Sequence, residues 1–182
     1  FERAGVAGIH MEDQKRPKRC GHLVGKTVLR FDEAVLKFKA VVRAREDDDF
    51  VIIARTDVLG AVGGSLDEAV RRALAYAGVG VDMIWCEFSS PDQVDEAERF
   101  AESIHREYPD MPLVFNYSSS FKWSKSRHRL TFERIAGMGY KLILVSMGAI
   151  HAEMYGVWNF LEDLHRNREK AQWRLEELKE GH

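Results

Sequence analysis

The sequence has little of several features that would point to a particular class of protein. Only two of its 182 residues are cysteines, Cys20 and Cys86, which leaves no disulfide framework or cysteine-rich metal site and suits a reducing cytosol. The longest apolar run, near residues 142–150, is about nine residues long, far below the roughly 20 that a membrane-spanning helix needs. With 27 basic and 29 acidic residues, the formal charge of −2 gives no sign of nucleic-acid or membrane binding.

Five short runs rich in apolar residues recur along the chain. Each is followed by a polar turn and a segment with helical periodicity, and successive runs begin about thirty to forty residues apart, the length of a βα unit. Such nearly continuous apolar runs are typical of parallel strands. The predicted strands are residues 7–11, 50–54, 83–86, 113–115 and 142–145, and the predicted helices are residues 31–45, 65–76, 91–108 and 131–138.

Polar residues follow every one of the five predicted strands. They are Glu12, Asp13, Arg55, Thr56, Asp57, Glu87, Asn116, Ser118, Ser120 and Ser146. Ligands bind at this end of the sheet in parallel α/β folds. A doubly wound sheet gathers its chemistry at one switch point, so polar residues at five strand ends favour a barrel.

The first strand leads into a loop that carries a cysteine among cations, Lys18-Arg19-Cys20-Gly21-His22. Neighbouring positive charges favour the thiolate form of a cysteine and lower the pKa of its thiol, which makes Cys20 a candidate reactive residue. The carboxylates of Glu12 and Asp13 are hard oxygen ligands that suit Mg²⁺, directly or through water. The alternative is a solvated charge cluster around an inert cysteine, and the motif alone leaves both interpretations open.

From residue 151 onward the pattern is helical to the end of the chain. Apolar residues with three- and four-residue spacing, from Met154 to Leu178, form one stripe on an otherwise charged helix. We therefore expect residues 1–150 to form the barrel part and residues 151–182 a helical segment. The stripe could cover the chain's own barrel or pack against a partner subunit.

The motifs together resemble those of the isocitrate lyase/phosphoenolpyruvate mutase superfamily. The cysteine loop is similar to its catalytic loop, and the other motifs occur in the same order. These are Glu12-Asp13-Gln14, Ala54-Arg55-Thr56-Asp57, Trp85-Cys86-Glu87 and the segment from Asn116 to Trp123. Within the superfamily, the Trp-x-Glu motif and the Asn-x-Ser-x-Ser segment are most similar to isocitrate lyases.

The resemblance implies a (β/α)8 barrel enzyme that cleaves isocitrate to glyoxylate and succinate with Mg²⁺. Cys20 would exchange a proton with the succinate carbanion, because that high-energy species must be neutralised as it forms. His22 would tune Cys20, Arg55 would clamp a substrate carboxylate, and Glu87 would orient the site. The remaining implied contacts are Gly21, Trp85, Asn116, Ser118, Ser120 and Ser146 with the substrate, and Glu12 with the water shell of the metal.

The chain departs from this family pattern in several ways. It shows five predicted strands where the barrel has eight, and the family's direct Mg²⁺ ligands are expected before Phe1, so we expect the sequence to begin inside a longer polypeptide. Ser146 and Leu144 replace larger residues, which would enlarge the pocket. The alternatives are therefore a 2-methylisocitrate lyase or a related compact carboxylic-acid lyase, and a non-catalytic barrel fragment with a structural role.

Other interpretations of single residues also stay open. Arg55 could form a salt bridge with Asp57 or Glu12, and Asn116 could cap a turn. His10, on an apolar strand, is predicted to be a buried core histidine. The family implies a substrate that is a small di- or tricarboxylate, no nucleic-acid or membrane partner, and a homo-oligomer, typically a tetramer that exchanges C-terminal helices.

Overall fold

The computed structural model describes residues 1–21, 23, 25–127 and 129–180. Within this part of the chain, five strands form one parallel sheet in the order of the sequence. They are β1 (Gly8–Glu12), β2 (Val51–Thr56), β3 (Met83–Cys86), β4 (Leu113–Asn116) and β5 (Tyr140–Leu144). The predicted set of parallel strands is confirmed. β5 begins two residues earlier than predicted, at Tyr140, whose buried hydroxyl donates a hydrogen bond to the Ala97 carbonyl at 2.9 Å.

Helices alternate with the strands, as the sequence predicts. They are α1 (Phe31–Ala44), α2 (Leu66–Gly78), α3 (Val94–Glu107), α4 (Phe132–Gly137), α5 (Gly148–Asn167) and α6 (Glu169–Glu180). The hydroxyls of Ser65 and Thr131 cap α2 and α4 by accepting a backbone hydrogen bond, each at 3.2 Å, which is why both helices start where they do. The segment predicted as one helix from Pro91 is a short 3₁₀ turn that continues directly into α3.

The two faces of the sheet differ because successive side chains of a strand point to opposite sides. One face is packed against the helices and supplies apolar core residues such as Ile52, Ile84 and Phe115. The strand register aligns Glu12 with Arg55 and Arg55 with Trp85, so these three side chains share the other face. The polar end of that face is the candidate site.

The chain divides into two compact units, Phe1–Leu144 and Val145–His182. The first holds the sheet and α1 to α4. In the second, the predicted single amphipathic helix is instead two, because the backbone breaks at Arg168, whose φ is 50°. Apolar side chains of α5 stay exposed, among them Met154, Trp158 and Leu161. Across the described residues, we find no helix long and apolar enough to cross a membrane.

Candidate active site

Arg55, at the carboxyl end of β2, is the centre of the polar cluster. Its Nε and Nη2 donate to the two carboxylate oxygens of Asp57 at 3.0 and 2.8 Å. Glu87 lies 3.6 Å away, Glu12 lies 3.8 Å away, and the guanidinium carbon stands 4.4 Å from the ring centre of Trp85. One cation is thus held among three carboxylates against an aromatic face.

The Arg55–Asp57 pair remains charged in spite of its burial. Burial acts to lower the pKa of Arg55, but the hydrogen bond to Asp57 and the charges of nearby carboxylates raise that pKa above its usual value. Burial likewise acts to raise the pKa of Asp57, while the hydrogen bond and charge of Arg55 hold it below its usual value. Arg55 therefore forms the strand-end salt bridge with Asp57 that the sequence left open as an alternative. Its third nitrogen, Nη1, points toward Glu87.

Glu87 follows β3 and receives two neutral donors. The Trp85 indole Nε1 donates to it at 2.9 Å, and the Asn116 amide donates at 3.0 Å. Burial raises the pKa of Glu87, and the charge of Arg55 offsets this only in part. A carboxyl group with a raised pKa beside a cationic partner is typical of a functional site.

The cysteine loop lies directly over this cluster. A Cβ atom built on Gly21 would clash with the Arg55 guanidinium and would lie 2.9 Å from the Glu87 carboxylate. Only a glycine allows the backbone to approach this closely. The adjacent Cys20 is exposed and unpaired. The loop that carries the thiol and the guanidinium of β2 therefore belong to the same site, while His22 lies outside the described residues.

Comparisons with known proteins identify the family of the chain. The family model for phosphoenolpyruvate phosphomutase matches residues 1–165. The isocitrate lyase of Haloferax volcanii is 42% identical over 177 residues, which cover 97% of this chain and 51% of that protein. A probable 2-methylisocitrate lyase of Corynebacterium glutamicum is 37% identical over 175 residues, covering 95% of this chain and 52% of that protein. The structure of phosphonopyruvate hydrolase in complex with oxalate and Mg²⁺ is similar with a TM-score of 0.72 and 31% identity, and the match covers 91% of this chain and 53% of the other.

The chain belongs to the phosphoenolpyruvate mutase/isocitrate lyase superfamily. It spans about half the length of the curated relatives it matches. The α/β barrel fold predicted from the sequence is confirmed, with the five described strands corresponding to part of the superfamily's barrel.

The structure places the predicted substrate contacts in different surroundings. Asn116 is buried and bonded to Glu87. Ser118 is buried and its hydroxyl accepts a hydrogen bond from the Ser120 amide at 3.3 Å, an arrangement common in loops, while Ser120 itself is exposed. Ser146 belongs to the second unit of the chain. The buried Trp85 bonds to Glu87 through its indole, so its described contacts are with site residues.

The described residues offer only part of a magnesium site. Oε1 of Glu12 is buried, lies 2.9 Å from the Lys18 ammonium and accepts no well-aligned hydrogen bond within the described chain. Asp57 and Glu87 are occupied by the donors already named. No three histidine, cysteine, aspartate or glutamate side chains come together as a metal centre among residues 1–21, 23, 25–127 and 129–180. This donor set fits the predicted outer-shell role of Glu12 and does not fit direct coordination by these residues alone.

Asp13, the second carboxylate of the predicted pair, has a structural role. Its side chain is fully buried on the helix side of the sheet. It accepts hydrogen bonds from the Thr56 and Tyr76 hydroxyls at 2.8 Å each, from the Asp57 amide at 3.0 Å and from Arg72 at 3.1 Å. Asp13 therefore does not fit the role of a magnesium ligand, because it is fully buried and Oδ2 already accepts three of these four hydrogen bonds.

The prediction that His10 is a buried core histidine is wrong. It is exposed, and its ring lies 4.9 Å from the ring of Trp85 on the face shared with Arg55. Partial burial lowers the pKa of His10, and the charge of Arg55 adds to this. His10 also lines a cleft of about 250 Å³ together with Glu12, Lys18 and Lys37. The parity of the strand could have revealed this, because His10 and Glu12 are two residues apart.

Proposed function

We propose that this chain carries the cysteine-loop part of a Mg²⁺-dependent lyase that cleaves isocitrate to glyoxylate and succinate. The observation that carries the proposal is the seating of Gly21, next to Cys20, on the Arg55–Glu87 pair. The cationic cleft beside it suits a substrate with several carboxylates, because Lys18 and Lys37 line it.

Each chain residue then has a definite task. When the C–C bond of isocitrate breaks, the alcohol carbon becomes the aldehyde carbonyl of glyoxylate as its hydroxyl proton passes to a general base, and the bonding electron pair stays on the succinate fragment. Cys20 delivers a proton to that carbon, and the condensation direction reverses this step. Arg55 offers Nη1 to a substrate carboxylate while Asp57 fixes its orientation. Bound Mg²⁺ would supply charge stabilisation to the reacting oxygens, with Glu12 holding its water shell.

The backbone and the neutral donors complete the assignment. Gly21 presents its backbone at the closest approach to the substrate, and His22 tunes the thiol. Asn116, Ser118 and Ser120 bind the succinyl carboxylate, while Ser146, in the second unit of the chain, is assigned to the substrate by the family resemblance alone. Trp85 and Glu87 shape the glyoxylate end, since the indole of Trp85 orients the Glu87 carboxylate.

Glyoxylate release by the purified polypeptide that contains this chain, measured with Mg²⁺ and with EDTA, tests the proposal. We expect Cys20→Ser to lower turnover by about a hundredfold or more, with substrate binding largely kept, because the hydroxyl of serine is a much weaker acid than a thiol and does not ionise at neutral pH. Cys86→Ala is the matched control: that thiol is fully buried, burial raises its pKa, and its removal leaves the site intact. Equal turnover in Cys20→Ser and wild type would remove the role given to Cys20.

A second candidate is a 2-methylisocitrate lyase or a related compact lyase. It is favoured by Leu144 at the end of β5 and by Ser146, both smaller than the residues that isocitrate lyases tend to have. One extra methyl group changes transition-state binding by only about 1–3 kcal/mol, so the ratio of kcat/KM for the two substrates decides between them. Absence of activity with both substrates would favour the third interpretation, a non-catalytic barrel fragment.

We further infer that the protein forms a homo-oligomer. The family resemblance implies a tetramer whose subunits exchange C-terminal helices. α5 exposes Met154, Val157, Trp158 and Leu161 at helical spacing around a groove of about 460 Å³. An apolar stripe of this kind is typical of a subunit interface. The two unpaired cysteines support a reducing compartment such as the cytoplasm.

A further inference from the structure

The two neighbours of Cys20 in the chain are each tied down by a polar side chain. The Gln14 amide donates to the Arg19 carbonyl at 3.0 Å and accepts from the Arg19 backbone N–H at 3.0 Å. The Lys26 ammonium donates to the Gly21 carbonyl at 3.0 Å. The thiol therefore sits between two anchored residues, although its own loop is on the surface.

Lys26 is an unusual anchor because its side chain is only 2% exposed. Removing an ammonium group from water is costly unless it gains a countercharge and hydrogen bonds. Its countercharge is Asp57, at 3.4 Å, the same carboxylate that holds Arg55. Lys26 thus links the loop carbonyl directly to the central ion pair of the site.

The surrounding backbone is shaped to admit this ammonium. A Cβ atom on Gly60 would lie 2.6 Å from Nζ of Lys26, so the absence of a side chain there leaves the space that Nζ fills. The backbone around Lys26 is also fixed, since its carbonyl accepts a hydrogen bond from the Val62 amide at 3.3 Å. These contacts hold the Lys26 ammonium at one position, between the Gly21 carbonyl and the Asp57 carboxylate.

Gln14 is anchored just as firmly at the other end. It is 5% exposed and follows Asp13, whose backbone N–H donates to the Arg55 carbonyl at 3.2 Å and whose carboxylate accepts from the Asp57 amide. Gln14, through the adjacent Asp13, and Lys26, through Asp57, are therefore both connected to residues at the carboxyl end of β2.

We propose that Gln14 and Lys26 are positioning residues that hold Cys20 in place beside the point where Gly21 meets Arg55 and Glu87. Gln14 fixes the chain before the thiol, Lys26 fixes the chain after it, and each acts on Cys20 through the backbone of the adjacent residue. This inference rests on the proposed function only for the catalytic use of the thiol. Whether the two side chains hold the loop in place can be tested without measuring turnover.

Limited trypsin digestion measures the anchoring directly. Trypsin cleaves after Lys18 and after Arg19, and the amide and carbonyl groups of Arg19 in those two bonds are the ones that Gln14 holds. Loss of the one charged hydrogen bond of Lys26, or of the two neutral hydrogen bonds of Gln14, should raise the population of the open loop, and with it the rate of nicking at these bonds, about tenfold or more. We expect this in Lys26→Met and in Gln14→Met.

Gly60→Ala is a second test that keeps every charge. Its new Cβ would displace the Lys26 ammonium, so nicking after Lys18 and Arg19 should rise as in Lys26→Met. Lys39→Met is the matched control: Lys39 is exposed on α1, and the variant should stay within about twofold of wild type. Thermal unfolding midpoints measured in parallel identify any variant that is destabilised as a whole.

Turnover separates positioning from mere structural support. Where the wild type releases glyoxylate, Lys26→Met and Gly60→Ala should lower kcat about tenfold or more while KM stays within about twofold, because misplacing the thiol affects the chemical step. Unchanged nicking in the variants would overturn the inference whatever the activity. Increased nicking with wild-type kcat would also overturn it. A wild type without activity would refute the proposed function alone, and nicking would still decide whether the loop is anchored in this way.

Discussion

Replacing Gly21 by alanine adds one methyl group at the point where the cysteine loop meets the site. The new Cβ would clash with the Arg55 guanidinium and lie 2.9 Å from Glu87 Oε1, so the loop backbone must move outward by roughly 0.5–1 Å. Arg55 cannot give way instead, because Asp57 holds two of its nitrogens at 3.0 and 2.8 Å. The thiol of Cys20, one residue away, moves with the loop.

The expected effect is large on catalysis and small on folding. A displacement of about 1 Å can cost about a hundredfold in rate, which corresponds to about 2.7 kcal/mol in the activation barrier. The loop is on the surface and can relax, so we expect the free energy of unfolding to fall by less than about 1 kcal/mol. Glyoxylate release and urea unfolding measure the two quantities.

Gly137→Ala provides the control for this experiment. Apart from its chain neighbours and the backbone of its own helix, no heavy atom of the described residues lies within 4 Å of a Cβ built on Gly137, in α4, so the same chemical change should leave turnover unchanged. Turnover in Gly21→Ala within about threefold of wild type would refute the argument that this close approach positions the thiol.

Three further predictions concern the hydrogen bonds of Asp13, the pKa of His10 and the exposed apolar face of α5. Asp13→Asn should lower the free energy of unfolding by about 2–4 kcal/mol in urea titrations, because a buried acceptor of four hydrogen bonds loses its charge, whereas Asp110→Asn at an exposed position should change it by less than about 0.5 kcal/mol. The pKa of His10 is lowered from 6.5 in the folded protein, so the unfolded chain binds the proton more tightly and stability falls as the pH drops below 6.5; His10→Gln should lack this part of the pH dependence, and an NMR titration of His10 at or above 6.5 would contradict it. Trp158→Glu should reduce the oligomer mass in light scattering while Asn159→Glu, at the next exposed position of the same helix, should not; equal masses for both would exclude this face as the interface.

The strands and their order could be predicted because each strand is a compact apolar run followed by a turn and a helix. The residues at the carboxyl ends of the strands could be predicted to meet because parallel strands align those ends. Gly21, Arg55, Glu87 and Asn116 do so in the structure. This part of the site depends on local pattern and on general topology.

Strand parity predicts that Glu12 and Asp13 face opposite sides of the sheet, but the partners of the buried side chains could not be predicted in the same way. Glu12 and Asp13 are adjacent, yet one faces the site and the other is buried under the helices, because neighbouring side chains of a strand alternate. The partners of Asp13 lie 43 to 63 residues away along the chain, and Lys26 finds Asp57 31 residues away. Nothing in the local sequence around Lys26 indicates that its charge is buried.

The shared use of the Asp57 carboxylate by Lys26 and Arg55 has a consequence for mutagenesis and for evolution. Changing any one of the three residues alters the surroundings of the other two, so single substitutions overstate what each contributes, and their effects will not add in double-mutant cycles. A homologue that departs at one of these positions is expected to have changed a second in compensation. Redesign of substrate preference should accordingly treat the trio as one unit and place its variation elsewhere, for example at Leu144.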